Sequence, residues 1–178
     1  MRQVLGGDPF DRLLDEAKTS AFHLETSDDY LAETESESLR LWREDESSDP
    51  GGEWFDSWTD QVQRMTERGV TMRRVRIVSE PHTVYTRYLL ALARHNEAAG
   101  EQVWYLARQD AHSADAASDD FWLLDNHLVS FSLLDDRGSW IGGAVTEDPV
   151  LVSNAMAIRD RVLAAAVPAD IYRGRHSP

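Results

Sequence analysis

The chain has 178 residues, 42% of them hydrophobic, which favours one domain spanning residues 1–178 around a single core. Its net charge of −14 argues against direct binding to nucleic acid or to an anionic membrane, because both are themselves negative. The absence of cysteine excludes disulfides, thiol nucleophiles and thiolate metal sites. No apolar run is long enough for a membrane helix and the first residues lack a signal-peptide profile, so we expect a cytoplasmic protein.

The N-terminal part of the chain is predicted to be mainly helical, from apolar spacing and helix-start residues. In chain order the predicted elements are a helix opened by Asp8 and Pro9, a short strand at 21–25, a weak helix at 30–42 anchored by Leu31, Leu39 and Trp42, a loop at 46–52, and a stronger helix from Trp54 that ends at Gly69. We therefore expect residues 1–52 to form an added helical and acidic segment, ahead of a core formed by residues 53–168.

Strands and helices alternate in the predicted core, which ends in a loose tail at 169–178. Its predicted elements are a strand at 70–78, a helix at 81–99, a strand at 103–106, an exposed acidic loop at 111–119, an apolar strand at 121–124, two strands at 128–134 and 140–145 joined by a turn at 135–138, and a helix from Pro149 with Val152, Met156, Arg159, Leu163 and Ala166 inward. This order predicts an α/β fold with a mixed β-sheet flanked by helices.

Charge is distributed unevenly along the chain. Acidic residues dominate from 25 to 60, whereas arginines dominate from 64 to 94. The acidic segment either keeps the protein soluble or docks on a basic partner such as a DNA-binding protein. The arginines either neutralise the acidic segment within the fold or line a site for an anionic group.

Three arginines are candidates for anion binding. Arg74 and Arg76 share one face of the predicted strand, and Arg87 lies on the helix that follows. Guanidinium groups bind phosphate or carboxylate through paired hydrogen bonds, so the three could converge on an anionic ligand. The alternative is that they pair inside the protein with acidic side chains: Glu25, Glu80 or Asp120.

Other side chains could complete such a site. His23 and Glu25 share a strand face, which suits either an acid–base pair or a structural ion pair. Tyr88 and Trp122 either rim the pocket or belong to the core, and Asp125 either faces the site or begins a turn with the residue after it. No histidines at ligand spacing predict a metal, and the paired glycines, such as those at 142–143, are typical of turns and tight strand packing rather than of a phosphate loop. We expect no cofactor.

The order of elements from Trp54 to Val167 resembles one half of a phospholipase D-like domain. That family uses a His-x-Lys-x4-Asp motif, which can be aligned here through Asp125. Ser118 and Asp120 then occupy the histidine and lysine positions, and neither can perform those roles. The resemblance thus implies a scaffold without this chemistry, and it implies a homodimer because the architecture commonly pairs two halves.

Four strings resemble an actinobacterial domain family of unknown function, number 6879: AFHLE at 21–25, RVRIVSEP at 74–81, AGE at 99–101 and DFWLLD at 120–125. Members are typically small stand-alone proteins, often encoded near helix-turn-helix regulators. The resemblance implies a regulatory or sensing role without an established activity. The acidic loop at 107–119 departs from the arginines expected there, which weakens any anion-binding role for that loop.

We therefore expect a non-catalytic regulatory protein that binds a helix-turn-helix transcriptional regulator through its acidic N-terminal face. The alternative is a small-molecule sensor that holds an anionic ligand at Arg74, Arg76 and Arg87. A third hypothesis is a phosphodiesterase-type enzyme, but such an enzyme would need a replacement nucleophile that the sequence does not offer.

Overall fold

A computed structural model describes residues 1–30, 35–136 and 139–176. The described chain forms one eight-stranded mixed sheet with helices on both faces, which confirms the predicted α/β class. The strands are β1 Arg2–Leu5, β2 Ser20–Glu25, β3 Thr71–Val78, β4 Gln102–Ala107, β5 Phe121–Leu124, β6 Leu128–Leu134, β7 Trp140–Thr146 and β8 Val167–Pro168. The helices are α1 Asp8–Asp15, α2 Ser36–Glu44, α3 Glu53–Glu67, α4 Val84–Ala99, α5 Ser113–Ala116, α6 Pro149–Ala165 and α7 Ala169–His176.

The strand order across the sheet is β1-β7-β6-β5-β2-β3-β4-β8. The central strands β2, β3 and β4 are parallel, and the remaining neighbours pair antiparallel. Helices connect the parallel strands, as crossover connections require. The first strand closes the far edge by pairing with β7, where a Cβ at Gly142 would lie only 2.1 Å from the Val4 carbonyl oxygen. This close approach agrees with the tight strand packing predicted for the paired glycines.

The helix ends follow local sequence. The Thr83 side chain caps α4 by accepting a hydrogen bond from the Thr86 N–H at 3.0 Å, and Gly100 ends that helix with a φ of 105°. Gly69 follows α3 with a φ of 89°, as expected. The Asp148 side chain caps α6 by accepting from the N–H groups of the helix's first turn.

The sheet buries a different cluster on each face. On one face α6 covers an apolar cluster that includes Leu24, Val75 and Ile77. On the other face α1 and α3 pack over one part of the sheet, while α4 and α7 pack over β3 and β4. The helix α2 packs on α4 through an aromatic cluster around Trp42. Among the described residues, no helix combines the length and apolar character needed to cross a membrane.

Several expectations differ from the structure. Residues 1–52, expected to be an added helical segment, contribute β1 and the central strand β2 to the sheet. The tail at 169–178, expected to be loose, forms α7 over its described part, because Ala169 and Tyr172 bury their side chains against the sheet. In the acidic loop expected to be exposed, Asp115 is buried and pairs with Arg161 at 2.6 Å.

The predicted inward face of α6 was only partly right. Val152 is buried, and the predicted Met156, Leu163 and Ala166 are half-buried and pack against the same core cluster. The other fully buried residues, Ala155, Ile158 and Val162, were not predicted. Most of α6 is apolar on several sides, so periodicity does not single out one stripe. Leu31 and the end of the 135–138 turn, at residues 137–138, lie outside the described residues.

Because β2 lies in the centre of the sheet, truncating one of its buried side chains should strongly destabilise the fold. Leu24 is fully buried between β3, β5 and α6, and we expect Leu24→Ala to lower the free energy of unfolding by about 2–5 kcal/mol. Leu41→Ala is the matched control, because Leu41 is 49% exposed and should cost well under half as much. Urea unfolding followed by tryptophan fluorescence measures both, and equal losses would contradict the placement of β2 in the core.

Candidate functional site

A cavity of about 590 Å³ lies on the sheet face covered by α1, α3 and α4. Its floor is formed by the second halves of β2 and β3 with β5, and its walls come from α3, α4 and the segments that follow β2 and precede β5. Ligands of open α/β sheets bind beyond the carboxyl ends of parallel strands, and the lining here includes Thr26, Ser27, Asp29 and Tyr30, which follow the carboxyl end of β2. We call it the aromatic pocket, because its lining includes Tyr30, Trp54, Phe55, Trp58, Tyr85 and Trp122.

Strand alternation and register place the charged residues on its floor. His23 and Glu25 point to the same face of β2, and Arg74 and Arg76 to the same face of β3. In the parallel pair His23 lies beside Arg74 and Glu25 beside Arg76. The antiparallel neighbour β5 places Trp122 beside His23. Five of the eight residues predicted for the site are therefore brought together.

The two arginines are held by a buried ion network. Arg74 donates from its Nε to Glu101 at 2.7 Å and from its NH1 to Glu25. Arg76 donates from its Nε to the other oxygen of Glu25 at 2.5 Å, and from its NH1 to the hydroxyl of Tyr105 at 3.2 Å. The prediction of internal pairing is thus correct for Glu25, and Glu101 is the second partner that sequence reasoning missed.

The positive and negative charges of this ion network balance each other. Burial opposes ionisation of Glu25, but the guanidinium groups of Arg76 and Arg74 outweigh it and hold the pKa of the carboxyl well below its usual value. The two guanidinium groups are matched by the two carboxylates of Glu25 and Glu101. Glu80 and Asp120, the other expected partners, instead accept hydrogen bonds from Tyr172 and Tyr30.

His23 is a neutral part of the floor. Burial, aided by the positive charge of Arg74, lowers the pKa of His23 from 6.5 to about 3. Its ring stacks on Trp122 with centroids 4.2 Å apart, and its Nδ1 lies 3.3 Å from Glu25 without making a hydrogen bond. The pair is therefore neither a charged salt bridge nor a general base poised near neutral pH.

Two carboxylates in the walls have tyrosines as partners. Asp120 accepts a hydrogen bond from the Tyr30 hydroxyl, and its other oxygen accepts from the backbone N–H and hydroxyl of Thr26, both at 2.7 Å. Glu35 accepts from the Tyr85 hydroxyl at 2.6 Å. Burial raises the pKa of Glu35 and the pKa of Asp120. Neither carboxylate has an ion pair with a cation among the described residues, although the positive charges of Arg76 and Arg74 oppose part of the rise at Glu35.

Aromatic rings line the space above the floor. The Arg74 guanidinium carbon lies 5.4 Å from the ring centre of Trp58 and 5.8 Å from that of Trp122. Cations are attracted to the faces of such rings, and tryptophan is the strongest of the aromatic side chains in this respect. Trp54 and Phe55 extend the aromatic wall along the start of α3.

Three residues predicted for the site lie elsewhere. Arg87 forms a surface ion pair with Glu46 at 2.7 Å, because it lies on the outer side of α4. The ring of Tyr88 is buried between α2 and α4 and does not line the aromatic pocket. The Asp125 carboxylate accepts backbone N–H groups of residues 18–20, which lower the pKa of Asp125 to about 2 against the opposing effect of burial, so it fixes a turn at the opposite end of β5.

Glu35 and Tyr30 line the aromatic pocket, and Glu101 holds the network below it, although the sequence alone did not mark any of the three as a site residue. Each joins the site through a contact with a residue at least 27 positions away, so no local spacing marks it. Among the described residues no group of three or more histidine, cysteine or acidic side chains could hold a metal ion. The lining residues of the aromatic pocket offer a guest hydrogen bonds, ring faces and charge.

Comparison with known proteins adds a family but no activity. A family model described as a domain of unknown function, DUF6879, matches residues 8–174, which confirms the family predicted from the four strings. No curated protein matches the chain. Among solved structures, TrmBL2, described as an archaeal chromatin protein with a novel mode of DNA binding, aligns at 12% identity and a TM-score of 0.48 over 88% of this chain. The alignment covers 48% of that protein, so this chain spans about half its length, and we draw no functional argument from it.

The neutral His23 predicts a specific pH dependence of stability. The unfolded chain takes up a proton near pH 6.5 whereas folded His23 does so only near pH 3, so stability falls as pH decreases between these values. The loss should reach about 2 kcal/mol at pH 5 relative to pH 7.5. We expect His23→Phe, which keeps the stacked ring, to remove this component of the slope in urea unfolding.

The matched control is His127→Phe, at an exposed turn residue, which should keep the wild-type slope. An unchanged slope in the His23 variant would contradict the assignment of a buried, neutral imidazole.

Proposed function

We propose that this protein, which belongs to the DUF6879 family, is a non-catalytic regulatory module that senses a small molecule in the aromatic pocket. The single observation that carries the proposal is a cavity of about 590 Å³ with aromatic walls above a closed ion network. Binding pockets are typically apolar clefts of about 300–1,000 Å³ with a few placed polar groups, and this cavity fits that description.

The state of the polar groups supports binding over catalysis. Catalysis of group transfer needs a nucleophile beside a base, yet His23 is neutral and stacked, and Glu25 is occupied by two arginines. At the positions that a phospholipase D-like enzyme would use, the Ser118 hydroxyl donates to the Asp115 carbonyl oxygen at 2.8 Å, and Asp120 accepts from Tyr30. The phospholipase D-like half-domain itself remains a prediction.

A second candidate function is binding of a helix-turn-helix regulator, as expected from the sequence. The observation that favours it is a run of exposed carboxylates on the outer side of α3, at Glu53, Asp56 and Asp60. A basic DNA-binding protein would complement this charge. The two candidates are compatible, because occupancy of the aromatic pocket beside α3 could change the affinity of that surface for a partner. A cytoplasmic location and a homodimer belong to the same proposal.

Filling the aromatic pocket should abolish ligand sensing. Ser132 lines it from β6, and Ser132→Phe would occupy its space, whereas Ser153→Phe on the exposed side of α6 is the matched control. In a thermal-shift screen with amines, alcohols, carboxylates and nucleotides, we expect at least one compound to stabilise the wild type and the control, by about 2.7 kcal/mol at a hundredfold excess over its dissociation constant. No stabilisation of the wild type, or an equal response in the filled variant, would reject the sensing role.

Charge reversal tests the partner role separately. We expect affinity purification from the native host to recover a helix-turn-helix regulator with the wild type, and to lose it with Asp56→Lys/Asp60→Lys. Glu147→Lys/Asp170→Lys is the matched control, because both residues are exposed away from α3. Recovery of the regulator with both double variants would count against a partner on the acidic surface. Failure to recover it with the wild type would count against that partner as well.

A further inference from the structure

The charge of the aromatic pocket identifies the class of molecule that it would hold. Six carboxylates contribute to its lining, at Asp11, Glu25, Asp29, Glu35, Asp119 and Asp120. The cationic side chains among its lining residues are Arg74 and Arg76, and Glu25 and Glu101 neutralise both. The remaining lining charge is negative, so an anionic guest would meet repulsion with no free guanidinium to offset it.

Glu35 is the best-placed of these carboxylates for a ligand. It is partly buried, its Oε2 accepts from Tyr85, and its Oε1 has no donor among the described residues. Burial raises the pKa of Glu35, and the charges of Arg76 and Arg74 offset this only in part because neither forms an ion pair with it. A buried carboxylate with no cation in direct contact is unfavourable. An ammonium or guanidinium group would supply the missing charge and hydrogen bonds in one contact.

The unpaired side-chain oxygen of Asn96 also favours a ligand that donates hydrogen bonds. Asn96 lines the aromatic pocket from α4 and is 1% exposed. Its Nδ2 donates to the Glu101 carboxylate at 2.5 Å, and since a carboxylate can only accept, this contact fixes the orientation of the amide. The Oδ1 is left buried with no hydrogen-bond donor among the described residues, which is costly unless a ligand donates to it.

The aromatic walls suit the same class. Trp58 and Trp122 already flank the guanidinium group of Arg74, and Trp54 and Phe55 present further ring surface to the cavity. Ring faces attract cations and also bury an apolar body, whereas they offer an anion no comparable contact.

We infer that the aromatic pocket binds an organic cation, an amine or guanidine carried on an apolar body, with Glu35 as its counter-ion. This inference rests on the proposed sensing function and specifies its ligand. The sequence had suggested an anionic ligand at Arg74, Arg76 and Arg87, but the ion network occupies the first two and the third lies outside the pocket.

Three probes that share an indole ring and a two-carbon side chain test the inference: tryptamine is a cation, tryptophol is neutral and indole-3-acetate is an anion. Isothermal titration calorimetry on the full chain at neutral pH should give a dissociation constant for tryptamine about tenfold lower than for tryptophol, with no measurable binding of indole-3-acetate. Glu35→Gln keeps an acceptor for Tyr85 but removes the charge, and it should weaken tryptamine about tenfold while leaving tryptophol unchanged.

Glu37→Gln, at an exposed residue two positions away whose carboxylate pairs with Arg40, is the control and should bind all three probes like the wild type. Binding of indole-3-acetate as tight as that of tryptamine, or equal weakening of tryptamine and tryptophol by Glu35→Gln, would overturn the cation inference and leave the sensing function standing. Failure of all three probes to bind at millimolar concentration would overturn both. Unfolding curves of each variant show whether a loss of binding reflects a loss of folding.

Discussion

Two buried guanidinium groups set the main constraint on this structure. Arg74 and Arg76 extend from the middle of the sheet under a cover of helices, and an uncompensated charge in such a place would cost several kcal/mol. Glu25 from β2 and Glu101, just before β4, supply the compensation, while Asn96 from α4 supports Glu101. The network therefore joins β2, β3, β4 and α4. It links the pairing of the parallel strands to the position of α4 on the sheet.

Such a network contributes more to fixing the register of β2 against β3 than to the net free energy of folding. A slip of β2 by one residue would turn Glu25 to the face that packs against α6 and leave both arginines without their shared partner. The same network explains the character of the aromatic pocket. The ion network on its floor is saturated, so apart from the unpaired Nδ1 of His23 the groups left to meet a guest are those of the walls. There the tyrosine-bound carboxylates and the ring faces remain.

The central part of the molecule was predictable because its signals are local. Alternation placed His23, Glu25, Arg74 and Arg76 on shared strand faces, and glycines marked the C-terminal ends of α3 and α4. Contacts between distant segments were not predictable. Glu101 comes 27 residues after Arg74, and the side of α4 on which Arg87 lies depends on how α2 packs against that helix. The edge strands were missed because β1 and β8 are too short to show a pattern.

The sheet also constrains how the chain can be made. Strand β1 pairs with β7, so that Arg2 lies beside Val145, and β2 is bordered by β3 and β5 from much later in the chain. Five of the seven strand pairings close loops that contain at least one helix, and only β5–β6 and β6–β7 join strands that follow directly in the chain. Such non-local pairing is associated with slow folding. During synthesis the first two strands leave the ribosome long before their partners, and the sheet cannot close until translation has passed β7. The nascent chain therefore carries β1 without its partner until β7 has been made, so a chaperone that shields unpaired strands would favour its folding.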